Sequence, residues 1–171
     1  MGSIARSLAA FAVSAVAAAT FMSPAAAQQV NSRLYEVTKA GKLRVCQYPL
    51  YFSISFRNPA SGEIEGIDAD LAKELAKDLG VELEIVESSF GTFIADLQAN
   101  KCEIGMFGIG ATMKRGEAVA FSQPYLISGL YAVTREGSPV TGWGDIDQPG
   151  RRVAVSLGSY IEPFMRGYLW I

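Results

Sequence analysis

Hydrophobic and polar residues alternate along the chain with two different periods, and each change of period marks a predicted element. The segments KLRVCQY (42–48) and VELEIV (81–86) alternate residue by residue, which predicts strands. Between them, leucines recur at every fourth position, as Leu71, Leu75 and Leu79, with charged residues on the opposite side. This period predicts an amphipathic helix that begins near Ile67 and ends at Gly80.

The alternation of strand and helix continues through the middle of the chain. The further predicted elements are a loop or hairpin over 49–63, a helix over 92–99, a third strand over 103–109 and a short fourth strand over 119–121. Strands and helices at this spacing predict a parallel sheet with helices on its faces. Ligands bind at the carboxyl ends of such strands, so 49–58 and 108–115 are the candidate binding loops.

The pattern changes after Pro124. Residues 125–136 are apolar, β-branched and aromatic, which predicts an extended connection and a strand, and 137–150 reads as a loop rich in Gly, Ser, Pro and Asp. A strand over 152–156 and a helix over 160–168 then predict the beginning of a second α/β lobe.

Residues 1–27 have the features of a secretory signal peptide. A positively charged head ends at Arg6, an apolar alanine-rich run follows, and the small residues 25–27 form an A-x-A end. This arrangement predicts export and cleavage after Ala27. An uncleaved membrane anchor is the alternative, but the run is short and weakly hydrophobic for a span.

The amino-acid composition excludes several classes of function. The chain has 171 residues, 50% of them hydrophobic, and a net charge of −2. Because it contains no histidine, it has no Ser-His-Asp or Cys-His nucleophile system and no imidazole metal site. The slight acidic excess argues against a general nucleic-acid or anionic-membrane surface. Binding and carboxylate-type catalysis remain, and no cofactor is expected.

The loop 108–115 has the features of an anion site. Gly108 and Gly110 let a ligand approach the backbone closely, and free N–H groups near a helix start favour an anion. Arg115 would offer a two-pronged guanidinium to a carboxylate, with the Thr112 hydroxyl as an added donor. An arginine in such a loop is often simply solvated, so both interpretations stay open from these residues alone.

Several aromatic residues fall in predicted loops instead of at core spacing. They are Tyr48, Tyr51, Phe52, Phe56 and Phe90. Most are expected to cover the end of the sheet, and one or two to stack on a ligand.

Acidic residues cluster around the start of the predicted helix, at Glu63, Glu65, Asp68 and Asp70. A carboxylate pair there permits acid–base chemistry. Acids at a helix N-terminus also cap free N–H groups and complement the helix dipole, and we favour this structural role.

The two cysteines are too few for a disulfide scaffold or a cysteine-based zinc site. Cys46 lies in the first predicted strand and Cys102 at the start of the third. Export would allow them to pair. Neighbouring parallel strands, however, would place one near a carboxyl end and the other near an amino end, too far apart for bridging geometry. Two buried free thiols are therefore expected.

Residues 66–71, GIDADL, resemble the signature helix of the family 3 extracellular solute-binding proteins, with Ala69 a mild departure from the larger apolar residue of the family. FSQPY (121–125) resembles the segment that leads into the interlobe hinge of that family. The other similar segments are 108–115, 145–147, 152–155 and Gly158-Ser159. The resemblance extends over most of the chain after residue 42 and keeps the order of the family's segments.

The resemblance implies a set of ligand-binding residues. This set is Arg115, Thr112, Gly110, Gly108, Phe90, Tyr51, Phe52, Ser159 and Tyr160. Arg115 matches an arginine that clamps the α-carboxylate of the ligand, and one of the two aromatics at 51 and 52 matches a wall position. Many family members carry serine where this chain has glycine at 108 and 110, which leaves only backbone donors there. No metal and no catalytic residue are implied.

The implied fold is a two-lobed α/β clamshell of the type II periplasmic-binding-protein class. Such a protein closes on an amino acid or similar small polar carboxylate and delivers it to the membrane permease of an ABC importer. It works as a monomer in the periplasm, with no nucleic-acid partner. Three alternatives stay open: an exported clamshell enzyme similar to a cyclohexadienyl dehydratase, a sensor input lobe, and an inactive fragment.

Length refines the expected organisation, because two lobes of about 100 residues each do not fit into what remains after export. The expected divisions are a signal peptide (1–27), a lead-in (28–41), a nearly complete first lobe (42–127), and a hinge crossing with a partial second lobe (128–171). We therefore expect a C-terminally truncated protein with weak or no ligand affinity, since half of the cleft would be absent.

Overall fold

The computed structural model describes residues 32–169, which fall within one compact unit; the predicted signal peptide lies outside them. The strands are β1 (Lys42–Gln47), β2 (Leu50–Tyr51), β3 (Ser55–Arg57), β4 (Ile64–Glu65), β5 (Glu82–Glu87) and β6 (Ile104–Gly105). The helices are α1 (Arg33–Ala40), α2 (Ile67–Leu79), α3 (Phe93–Gln98), α4 (Met113–Gly116) and α5 (Ile161–Tyr168), with a 3-10 turn at Trp143–Asp145. None of these helices is long and apolar enough to cross a membrane.

The predicted parallel sheet is confirmed. β1 lies in its centre, with β5 on one side and β6 on the other, and β1 runs parallel to both. Val45 of β1 is fully buried and lies opposite Ile85 and Ile104 in the two neighbouring strands. Because the three strands point the same way, the loops that follow them meet at one edge of the sheet.

Helix α2 confirms the predicted amphipathic helix and its end at Gly80, which has a left-handed φ of 66°. Ala72 and Ala76 are buried against the sheet and Leu75 and Leu79 pack partly buried beside them, whereas Leu71 is 40% exposed. Small side chains on this face let the helix approach the sheet closely. The buried core between them consists of Val37, Leu43, Val45, Ala72 and Ala76.

The predicted loop or hairpin over 49–63 contains most of a small antiparallel sheet formed by β2, β3 and β4. Its connection to α2 includes a hydrogen bond from the Asp68 N–H to the Ile54 carbonyl oxygen (2.9 Å). Gly66 permits this contact, since its φ is 128° and a Cβ there would lie 2.5 Å from that same oxygen. The hairpin is thereby held against the start of α2.

Several predicted strands are shorter than expected or absent. Where the sequence predicts a strand over 103–109, β6 contains only two residues, and no strand forms over 119–121, 125–136 or 152–156. A strand needs a hydrogen-bonded neighbour, and no described residue provides one for the last three segments. Their apolar side chains are accordingly exposed, Val133 at 94% and Val155 at 36%.

The expectation of two free thiols is wrong, because Cys46 and Cys102 form a disulfide. Both residues are fully buried, and their Cα atoms are 5.6 Å apart. Cys46 lies opposite Gly105 in the sheet, and three extended residues would carry Cys102 about 10 Å further along. The chain leading into β6 is not extended, however: Glu103 donates its N–H to the Arg44 carbonyl and keeps the lead-in against β1.

Candidate functional site

The loops at the carboxyl edge of the sheet bring most of the predicted ligand-binding residues together. We call this group the Arg115 cluster. It consists of Tyr51, Phe90, Gly108, Gly110, Arg115, Gly158 and Tyr160. The members come from the loops that follow β1, β5 and β6, from α4, and from the segment that precedes α5.

Arg115 is buried at the centre of this group, with only 8% of its surface exposed. The Thr112 hydroxyl caps α4 by accepting the Arg115 N–H at 3.2 Å, which fixes the backbone from which the side chain extends. The guanidinium donates to the carbonyl oxygens of Gly110 (2.8 Å) and Gly158 (2.9 Å). Its carbon lies 5.2 Å from the centre of the Phe93 ring, which packs against it as a cation–π contact.

The charge of Arg115 has no carboxylate partner among the described residues, although seven ion pairs occur elsewhere. Burial lowers the pKa of the guanidinium, but an arginine remains charged at neutral pH. The two carbonyl oxygens supply only partial negative charge. A buried cation held in this way attracts an anion that can replace the carbonyls.

Glycine is required at three positions of the cluster. A Cβ at Gly108, whose φ is 64°, would lie 2.8 Å from the Tyr51 ring, and a Cβ at Gly110 would lie 2.7 Å from the Tyr160 ring. At Gly158, whose φ is 74°, a Cβ would lie 2.6 Å from the backbone of Gly91. The paired glycines of the sequence motif therefore do bring backbone close to other groups, and those groups are the aromatic rings and loops of the same site.

Phe90 connects the aromatic members of the site. Its ring lies 5.2 Å from Phe107, 5.3 Å from Tyr48 and 6.0 Å from Tyr51. Of the two aromatics predicted at 51 and 52, only Tyr51 joins the group. Phe52 is 74% exposed and packs on Phe56 in the hairpin instead.

The segment before α5 contributes polar groups. Ser159 is buried, and its hydroxyl has no hydrogen-bond partner among the described residues. The neighbouring Gly158 donates its N–H to the Glu162 carboxylate (2.8 Å), which also accepts from Arg166. These bonds, the backbone one first, lower the pKa of Glu162, so this carboxylate is ionised at neutral pH.

Asp68 has a larger role than the sequence suggested. Its carboxylate is fully buried and accepts the Gly108 N–H (2.5 Å) and the Tyr125 hydroxyl (2.7 Å). Burial, and then the hydrogen bond to Asp68, raise the pKa of Tyr125. The spacing along the helix could have predicted this burial, since Asp68 lies four residues before Ala72 and eight before Ala76, which both face the sheet. Asp70, by contrast, is exposed and pairs with Lys73 (3.2 Å), as expected of a helix-terminal acid.

The residues of this site can be compared as ligands for a metal ion and as ligands for an anion. Among the described residues no group of His, Cys, Asp and Glu side chains is arranged to hold a metal ion. The N–H groups of Gly108 and Gly158 are already donated to Asp68 and Glu162. The cluster instead offers a buried cation, the nearby hydroxyls of Thr112 and Ser159, and aromatic walls, which together suit a small anion with an apolar or amphipathic part.

Comparison with known proteins agrees with this chemistry. The family model for bacterial extracellular solute-binding proteins, family 3, matches residues 43–145. The chain belongs to this family. The family 3 match covers β1 to β6 and α4, and thus includes Arg115.

Individual relatives include both binding proteins and an enzyme. The chain is 33% identical over 159 residues to the cyclohexadienyl dehydratase of Pseudomonas aeruginosa, covering 92% of this chain and 59% of that protein. It is 29% identical to the L-cystine-binding protein of Escherichia coli, covering 78% and 50%. The chain spans about half the length of the curated relatives it matches.

Solved structures share the fold. An ancestral amino acid-binding protein, described as a precursor of cyclohexadienyl dehydratase, matches with a TM-score of 0.77 and 36% identity over 81% of this chain and 61% of its own. A variant of domain 1 of the arginine-binding protein TmArgBP, in its arginine-bound form, matches with a TM-score of 0.54 and 36% identity over 56% and 74%. The fold is the α/β fold of type II periplasmic binding proteins, and the parallel sheet corresponds to one nearly complete lobe.

Proposed function

We propose that this protein binds an amino acid, or a similar small polar carboxylate, and that Arg115 holds the carboxylate. The observation that carries the proposal is the buried Arg115 guanidinium, which has two carbonyl partners and no anionic one among the described residues. Charge-assisted hydrogen bonds to a carboxylate are roughly twice as strong as neutral ones. A ligand carboxylate can therefore displace both carbonyls from the guanidinium.

Other members of the site would complete the binding of such a ligand. The unpartnered Ser159 hydroxyl is available as a donor, and the Thr112 hydroxyl lies at the start of the same helix as Arg115. Tyr51, Phe90 and Tyr160 surround the glycine backbone and would provide apolar walls. L-Arginine is a suitable first probe, since one structural neighbour is described as arginine-bound and one relative as an arginine-binding extracellular protein.

The wider role follows from the family. We infer that the protein is exported, that it is cleaved after Ala27, and that it passes its ligand to the membrane permease of an ABC importer as a monomeric, non-enzymatic carrier without a cofactor. Curated relatives described as periplasmic support the location. Mass spectrometry of protein recovered from the periplasm tests the first step, and a mature chain that begins at Gln28 is the expected result.

The binding test is a titration of the whole chain with L-arginine followed by nuclear magnetic resonance (NMR), which detects weak as well as tight binding. We expect chemical shift changes at the Arg115 side chain and at the Gly158 and Ser159 amides. Arg115→Gln should abolish the changes at the Gly158 and Ser159 amides, because it removes the charge that the carboxylate needs. The matched control Arg57→Gln removes a surface arginine paired with Glu87 and should leave them unchanged. Equal binding by both variants would contradict the proposal.

Enzymatic dehydration is the second candidate, and the 33% identical dehydratase favours it. A dehydratase needs a group that protonates the departing hydroxyl. Glu162 is ionised, and Asp68 already accepts two hydrogen bonds. An ionised Glu162 and an Asp68 carboxylate that is already hydrogen-bonded favour a binding role over dehydration. Incubation with a cyclohexadienyl carboxylic acid that carries a ring hydroxyl distinguishes binding from turnover, because loss of carbon dioxide together with water forms an aromatic ring whose ultraviolet absorbance appears only on turnover.

A further inference from the structure

Asp68 connects three parts of the molecule that are distant in sequence. Its side chain accepts from Gly108 in the loop after β6 and from Tyr125 further along. Its carbonyl oxygen accepts from the side chain of Gln47 at the end of β1 (3.1 Å), and its N–H donates to Ile54 in the hairpin. Every polar group of the residue is therefore engaged, and each contact reaches a different segment.

The Asp68 carboxylate is held without a cation. No ion pair among the described residues includes it, and it is fully shielded from solvent. Its stabilisation comes from one N–H, one O–H and its position in the first turn of the 13-residue helix α2. Loss of either donor would leave a buried carboxyl oxygen without this hydrogen bond, so both contacts are strongly favoured in the folded state.

We propose that Asp68 is a positioning residue for the Arg115 loop, and that the Tyr125 hydroxyl keeps its carboxylate aimed at Gly108. This inference rests on the proposed binding function only for its effect on affinity. The Asp68 bond to Gly108 fixes the backbone where φ becomes positive, two residues before the Gly110 carbonyl that accepts from Arg115. A shift there would move the guanidinium relative to the ligand carboxylate.

The hydrogen bond from Tyr125 also links Asp68 to the chain beyond the sheet. Tyr125 belongs to the chain that leaves the sheet toward Gly158, the other carbonyl partner of Arg115. Asp68 is therefore placed to couple the position of the outgoing chain to the geometry of the site without touching a ligand.

The first test needs no ligand. Amide hydrogen exchange is followed residue by residue in the whole chain for Tyr125→Phe, which removes one hydroxyl, and for Asp68→Asn. We expect exchange at Gly108 to accelerate about tenfold or more in both variants, while the Val45 amide in β1 is unchanged. The matched control is Tyr131→Phe, a tyrosine of the same segment that is 81% exposed. Unchanged exchange at Gly108 in Tyr125→Phe overturns the proposal, even if Asp68→Asn fails to fold.

The second test measures affinity for L-arginine by the NMR titration described above. Tyr125→Phe should weaken binding about tenfold, equivalent to loss of roughly 1.4 kcal/mol, and Tyr131→Phe should not. If the unmodified chain does not bind L-arginine, the binding function fails for that probe, whereas the exchange experiment still decides the role of Asp68. Normal affinity in Tyr125→Phe would show that the loop is held by other contacts and would contradict the coupling.

Discussion

Two segments with nearly the same alternating pattern have different structures. β5 is a paired strand of the central sheet, whereas 152–156, which alternates as RVAVS, forms no strand. We call residues 32–119 the sheet region and 120–169 the downstream region. In the sheet region, buried apolar side chains form two continuous cores, whereas Val153 and Val155 are 40% and 36% exposed.

The difference teaches that alternation specifies which face of a strand is apolar but not whether the strand forms. β5 pairs along its whole length with β1, residue for residue from Lys42 to Gln47. No described residue offers the same ladder to 152–156. Contacts at the Arg115 cluster join the downstream region to the sheet region, through Gly158 and Tyr160.

The largest expected contrast is between two phenylalanines. Phe93 is 1% exposed, packs edge-on against Phe107 and lies beneath Arg115. Phe93→Ala should lower the free energy of unfolding by about 3–5 kcal/mol. Phe164 is 52% exposed in α5, and Phe164→Ala should change it by less than about 1 kcal/mol. Urea unfolding monitored by circular dichroism measures both, and similar losses would mean that the downstream region shares the cooperative core.

The disulfide gives the next contrast, because it joins two residues 56 positions apart in the sheet region. Replacing both Cys46 and Cys102 by alanine should lower the free energy of unfolding by about 2–4 kcal/mol. The reductant dithiothreitol should destabilise the unmodified protein by a comparable amount and leave the double variant unaffected. A stability that is the same with and without the bridge would contradict its structural role.

A smaller expected difference is between the carboxylates of Asp96 and Glu162, whose contributions to stability depend on pH. Asp96 accepts hydrogen bonds from Lys101 and Ser88, and these bonds, Lys101 first, lower its pKa. Because the folded pKa lies below the unfolded value of about 3.9, Asp96 stabilises the fold above that pH, and the effect is lost as the pH falls through the folded pKa. Asp96→Asn should therefore cost about 1 kcal/mol at neutral pH, and progressively less as the pH falls through the folded pKa of Asp96.

Glu162 is the matched control in the downstream region. Its pKa is also lowered, chiefly by the Gly158 N–H, so its contribution to stability has the same direction of pH dependence. Glu162→Gln should nevertheless shift the urea midpoint of unfolding less than Asp96→Asn at neutral pH, because Glu162 lies outside the two cores of the sheet region. A pH-dependent loss equal to that of Asp96→Asn would remove the distinction between the two regions.

Much of the sheet region could be predicted from residue patterns. The periods of apolar residues located β1, α2, β5 and α3 to within about two residues. The disulfide could not be predicted in this way, because it depends on how the chain enters β6 before Ile104. The missing downstream strands could not be predicted either, since pairing depends on residues distant in sequence.

Most residues of the candidate site could be predicted from the sequence, but the contacts between them could not. Arg115, the glycines and Tyr51 come together as expected, because loops after parallel strands share one edge of the sheet. The sequence could not show which of Tyr51 and Phe52 faces the site, because adjacent residues of a short hairpin differ only in the side to which they point. Asp68 was assigned to the helix end, although its spacing from Ala72 and Ala76 already placed it on the buried face.

The central claim is that Arg115 recognises a carboxylate, and one matched pair of probes tests it most directly. L-arginine and L-argininamide share the same side chain and ammonium group, but the amide lacks the negative charge. The account predicts that in the NMR titration L-arginine perturbs Arg115, Gly158 and Ser159, and that L-argininamide binds at least about tenfold more weakly. Equal perturbation of these residues by the two probes would contradict the account.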